Sequence, residues 1–120
     1  LVFISGQVSQ NERGFIKGVL GEDLNLEQGY EAARCCAISL LAQLKNAVNG
    51  DLNKVARVVK LGGFVNSAPG FTDQPSVING ASDILVELFG EKGRHARTAV
   101  GANLPLGVAV EIDGIFEVES

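Results

Sequence analysis

The chain holds a single histidine, His95, so a catalytic triad or a histidine-rich metal site would have to be built on that residue alone. His95 falls in a loop between Gly93 and Arg97 and reads as a solvated loop histidine. Cysteine is equally scarce. Cys35 and Cys36 are the only two, and neighbours in sequence pair poorly because the disulfide geometry is strained. Their spacing fits no metal motif, so both read as reduced residues packed on a helix, which accords with a cytoplasmic location. No apolar run approaches the roughly 20 residues of a membrane helix. There is no G-x-S-x-G, no phosphate-binding P-loop and no G-x-G-x-x-G. Basic residues are few and scattered: 10 Lys and Arg stand against 14 Asp and Glu, for a net charge of −4. Binding to a phosphate backbone needs clustered cations, so no nucleic-acid partner is expected. The chain opens on "LVFISGQVSQ", without a methionine and already in strand-like sequence. No secretory leader is visible, and residues upstream of Leu1 are expected to be missing.

Apolar residues, by contrast, are plentiful. They make up 46% of the 120 residues, and the mean hydropathy is +0.20. One domain spanning residues 1–120 is the natural size, able to bury roughly two-thirds of its unfolded surface. "LVFISGQVS" reads as a strand and "FIKGVLG" as a second, joined by "QNERG" into a hairpin. Asn25 is a helix N-cap with Gln28 three residues on, and Leu26, Tyr30, Ala33, Ala37, Leu41, Leu44 and Val48 recur at helical spacing up to Asn49-Gly50. "VARVVKLGGFV" is a strand. Pro75 opens a second helix through Val77, Ala81, Leu85 and Leu88, which Gly90 stops. "HARTAVGA" is short and extended. "VAVEIDGIFEV" alternates, with Val108, Val110, Ile112, Phe116 and Val118 on one side and Ala109, Glu111, Asp113, Ile115 and Glu117 on the other.

The order β-β-α-β-α-β-β predicts an α+β fold: one mixed sheet with two helices packed on one face. Two strands are apolar on both sides, with Leu1 and Phe3 opposing Val2 and Ile4, and Val59 and Leu61 opposing Val58 and Phe64. A sheet face without a cover inside the chain marks an interface, here expected between identical subunits.

The segment from Gly93 to Val118 carries the candidate chemistry. Arg97 precedes a small-residue loop, and a guanidinium on a strand presents a rigid fork that matches a carboxylate. Glu111 and Asp113 share one strand face about 7 Å apart, on a strand expected to return beside Arg97. Two roles stand open from the residues alone: a cross-strand ion pair, or a site in which the carboxylates orient a water or an amine.

Five stretches, "LVFISGQVS", "VVKLGGFVNSAPGF", "INGASDILVELFG", "HARTAVGANLP" and "VAVEIDGIFEV", together resemble the YjgF/YER057c/UK114 family, whose best-known branch is the RidA enamine/imine deaminases and whose older label is endoribonuclease L-PSP. The resemblance implies a chorismate-mutase-like fold, a homotrimer and ligand clefts between subunits. It implies that Arg97 binds a substrate carboxylate, that Glu111 positions the attacking water, and that Ser5, Gly6, Asn79 and Ala99 line the cleft. The implied reaction is hydrolysis of a 2-imino acid to a 2-keto acid and ammonia, with no cofactor and no metal. A non-catalytic keto- or amino-acid binding protein and, more remotely, an endoribonuclease are the alternatives. The chain departs from the RidA pattern in several places: His95, Thr98 and Ala99 stand where that branch has proline, serine and cysteine, Asp113 replaces a glutamate, "GANLP" is one residue shorter, and Ser9 stands where proline is usual.

Overall fold

The computed structural model describes residues 1–119. Its main sheet has four strands: β1 (Val2–Val8), β4 (Val55–Val65), β5 (Ala96–Gly101) and β6 (Val110–Val118). Their spatial order is β1-β6-β4-β5. β6 runs antiparallel to both β1 and β4, whereas β4 and β5 are parallel. Helix α1 (Leu26–Ala47) connects β1 to β4, and α2 (Gln74–Phe89) connects β4 to β5. Parallel neighbours need such a crossover. The architecture is therefore the expected mixed sheet with two helices.

Local signals set the helix ends. Asn25 and Gln28 form a reciprocal capping box, each side chain accepting from the other's backbone N–H at 2.8 Å. The chain leaves α1 through Asn49 and Gly50, both at positive φ, and the Gly50 N–H reaches the Lys45 carbonyl at 2.8 Å. Pro75 occupies the first turn of α2.

One contiguous core lies between the sheet and the helices. Leu40 and Leu44 of α1, Val77, Ile78 and Leu85 of α2, and Val58, Leu61, Ile112 and Phe116 of the sheet are all buried in it. A fully buried side chain of this kind stabilises by about 1.5–3 kcal/mol. Both cysteines are free and buried. The Cys36 thiol sits 3.4 Å from the Val110 carbonyl, and burial pushes its pKa far above the ordinary thiol value.

Three glycines let these layers close. Gly62 and Gly63 are neighbours on β4. A side chain at Gly63 would strike Ile78 of α2 at 2.7 Å, and one at Gly62 would strike Asp113 on the opposite face. Gly80 of α2 lies against α1, where a Cβ would run into the Tyr30 carbonyl oxygen.

Two expectations change. "FIKGVLG" is not a full second strand: only Gln10–Asn11 (β2) pairs with Gly14–Phe15 (β3). Gly18 and Gly21, both at positive φ, break the extended run. The segment instead crosses the ends of β6 and β4 through single bridges, Lys17 to Val108 and Leu20 to Ser67. The face assignment in β4 also shifts. A register irregularity between Val58 and Lys60 places both Val58 and Leu61 against the helices, leaving Val59 and Phe64 half-buried.

Ser9 accounts for the missing proline. It is fully buried, its N–H donates to the Val110 carbonyl at 2.9 Å, and its Oγ donates to the Ile16 carbonyl at 2.9 Å. Proline could make neither bond. No helix among the described residues is long and apolar enough to cross a membrane.

Gly80→Ala should lower stability by about 1–3 kcal/mol, because the new methyl meets backbone that cannot yield without separating the helices. Urea denaturation checks this, and a variant as stable as the parent would contradict the close approach.

Candidate functional site

Arg97 pairs in register with Leu61, a core residue, so its side chain lies on the helix side of the sheet. There α2 holds it. Arg97 Nη1 donates to Ser82 Oγ at 3.1 Å, and Nη2 donates to the Pro75 carbonyl at 3.2 Å. These two bonds fix the plane of the guanidinium and leave the rest of its fork available. The side chain lines a cavity of about 560 Å³ together with Asn79, Ser82, Asp83, Arg94 and His95.

His95 is not the solvated loop residue expected. It is half-buried, with both ring nitrogens engaged. Nδ1 faces the Gly93 carbonyl, which can only accept, so Nδ1 carries the proton. Nε2 is then the acceptor and takes the Ser82 hydroxyl proton at 2.9 Å. Burial lowers the His95 pKa below its ordinary 6.5, the Gly93 bond opposes this, and Arg97 lowers it further. The result is a directional chain: Arg97 N–H to Ser82 Oγ, Ser82 O–H to His95 Nε2, His95 Nδ1–H to Gly93.

Glu111 lies elsewhere. β4 separates β6 from β5, so the strand carrying Glu111 and Asp113 does not return beside Arg97. Because Val110 and Ile112 are buried toward the helices, Glu111 points to the opposite face of the sheet. Its carboxylate sits over Gly6, where any side chain would collide with it. Ser5 and Asp113 line a smaller hollow of about 240 Å³ on that face. Asp113 Oδ1 accepts from the Gly62 N–H at 3.1 Å. Among the described residues no ion pair joins Arg97 to either carboxylate.

The expected site residues thus fall into two groups within one chain. Arg97 and Asn79 share the cavity at α2, with Ala99 half-buried two residues along β5 and pairing with Gly63. Ser5, Gly6 and Glu111 gather on the open sheet face. Ser82 was missed by the sequence reading. The available signal was spacing: Ser82 is one helical turn from Asn79, and His95 is two residues from Arg97 on extended chain. Among the described residues no cluster of His, Cys, Asp or Glu is arranged to hold a metal ion.

Residues 2–110 match the family described as "YjgF/chorismate mutase-like, putative endoribonuclease". The chain belongs to this YjgF-type family. Protein TCP17 of Trypanosoma cruzi is 50% identical over 120 residues, a match covering 98% of this chain and 74% of that protein. A crystal structure of a protein of unknown function from Agrobacterium tumefaciens superposes with a TM-score of 0.95 at 46% identity, covering 98% of this chain and 75% of the other. A Shewanella oneidensis protein described as an endoribonuclease by assignment gives 0.92 at 32% identity, covering 97% and 78%. YjgF-type membership therefore rests on sequence and fold together.

A histidine held neutral by burial contributes stability that is complete above its unfolded pKa of about 6.5 and is lost as pH falls toward its lower folded value. Between pH 7 and pH 5 the urea midpoint of the parent should fall more than that of His95→Gln. Parallel curves would show that His95 titrates as an exposed side chain.

Proposed function

We propose that this chain is a RidA-like deaminase that hydrolyses 2-imino acids to 2-keto acids and ammonia, in a cleft completed by a neighbouring subunit. The observation that carries the reading is the Arg97 guanidinium, braced by Ser82 and the Pro75 carbonyl with its free edge toward an open cavity. A braced fork suits a carboxylate bidentately and gives up little side-chain freedom on binding.

An iminium carbon is already electrophilic, so positioning of water and substrate supplies much of the rate. Arg97 would hold the carboxylate, with Asn79 beside it. Glu111 would position the water from the adjoining subunit, because its own chain places it on the other sheet face with Ser5 and Gly6. The subunit contact proposed is the open face, where Leu1, Phe3 and Val100 are 74%, 71% and 42% exposed. A homotrimer is the assembly this reading takes. The family's endoribonuclease label finds less support, since the chain carries a net charge of −4 with no basic cluster.

Arg97→Ala should leave assembly intact and weaken 2-keto acid binding at least tenfold, as a charge-assisted bond contributes about 1.5–3 kcal/mol. Arg97→Lys should restore little, because an ammonium lacks the fork. Calorimetry with a 2-keto acid, sedimentation, and turnover of an imino acid generated by an amino-acid oxidase check the three parts. Unchanged binding in Arg97→Ala would make the arginine a structural brace only. Binding without turnover in the parent would favour the ligand-binding alternative, and a stable monomer at micromolar concentration would remove the shared cleft.

A further inference from the structure

Hydrolysis of an imine moves more than one proton. After water adds, the carbinolamine must lose its hydroxyl proton while the C–N bond breaks. A carboxylate that positions the attacking water does not by itself serve this second step. The cavity around Arg97 contains a group with the required connectivity. Ser82 Oγ is 3.1 Å from the guanidinium that would hold the substrate carboxylate, and 2.9 Å from His95 Nε2. His95 is fixed from behind by the Gly93 carbonyl, which settles the tautomer and leaves Nε2 as the proton acceptor. Nucleophile or shuttle, base and orienting group are thereby in line.

We propose that Ser82 and His95 form a proton-transfer pair acting on the carbinolamine in this cleft. The proposal rests on the deaminase reading above. In the step, the carbinolamine nitrogen is already –NH3+, because one proton of the water that added to the iminium stays on the hydroxyl and the other moves to nitrogen. The hydroxyl then passes its proton to Ser82 Oγ as the Ser82 proton passes to His95 Nε2. The electrons of the broken O–H bond form the C=O bond. The C–N bond breaks with its electron pair on nitrogen, and ammonia leaves. The imidazolium then returns its proton through Ser82 to ammonia, giving ammonium and neutral His95. Charge and atoms balance with no further reactant.

The surroundings fit that role. Burial disfavours a resting imidazolium more than the Gly93 bond favours it, and Arg97 adds to the effect of burial, so the base is free at neutral pH. Asp83 and Glu87 of α2 and Arg94 of the preceding loop also line the cavity. Arg94 is engaged by Glu91 at 3.2 Å, and Asp83 accepts from Tyr30 at 2.7 Å. Ser82 is therefore the side chain bonded to the substrate-holding arginine, and His95 is bonded to Ser82 behind it.

The test uses the full chain, a 2-imino acid generated in situ by an amino-acid oxidase, and a 2-keto acid as the binding probe. His95→Gln should lower kcat by about 100-fold or more, the usual effect of removing a general base. It should keep 2-keto acid affinity within about threefold of the parent. The acid limb of the parent's kcat/KM profile, which His95 sets below the ordinary histidine range, should disappear. Ser82→Ala should lose kcat similarly, and Ser82→Thr, which keeps a hydroxyl, should recover most of it. Should His95→Gln fail to fold, the Ser82→Ala and Ser82→Thr comparison decides. A His95→Gln enzyme with parental kcat and an unchanged acid limb would overturn the pair while leaving the deaminase reading intact. Loss of affinity in step with kcat would also overturn it, leaving the two residues as a bracket for Arg97. A parent that binds 2-keto acids and never accelerates imine loss would overturn both.

Discussion

The centre of this fold depends on how thin the sheet is at Gly62 and Gly63. β4 is bonded on both edges, to β6 and to β5, so it cannot move to make room for anything. The missing side chain at Gly63 admits Ile78, which draws α2 down onto the sheet. With α2 so placed, Arg97, one strand further out, reaches Ser82 and the Pro75 carbonyl. On the other face the missing side chain at Gly62 leaves space for the Asp113 carboxylate to fold onto the strand's own N–H. Two adjacent absences thus organise both polar regions of the molecule.

Much of this was readable from the chain because the relevant signals are local. The capping box at Asn25, the glycine exit at Gly50, the proline start of α2 and the alternation along β6 each depend on residues within a few positions. Register is different. The irregularity after Val58 moves Leu61 to the core, and no side-chain pattern marks it, since Val58, Val59 and Leu61 are all apolar. Strand order is also non-local. Proximity in sequence suggests Glu111 beside Arg97, but β4 pairs along the whole of β6, and β5 lies beyond it at the edge of the sheet. The breakdown of the early hairpin was written in Gly18 and Gly21, whose positive φ outweighs the β-branched neighbours.

His95 shows why a residue's setting cannot be taken from its loop. The loop is short and its backbone supplies an acceptor, Gly93, two residues away. That carbonyl and the Ser82 hydroxyl together give an imidazole full hydrogen bonding without a charge, so partial burial carries little penalty. Family resemblance drew attention to the arginine and the glutamate. The serine that bonds to the arginine and the histidine behind that serine come together only in the folded chain.

The sheet also acts as a wall. Arg97 and Asn79 stand on one side of it and Ser5, Gly6 and Glu111 on the other, with β4 and its two glycines between. Under the shared-cleft proposal each chain would contribute two unlike half-sites that point away from each other. On that reading, chemistry requiring both would couple to protein concentration, and a subunit damaged in one half would still offer the other half to its neighbour.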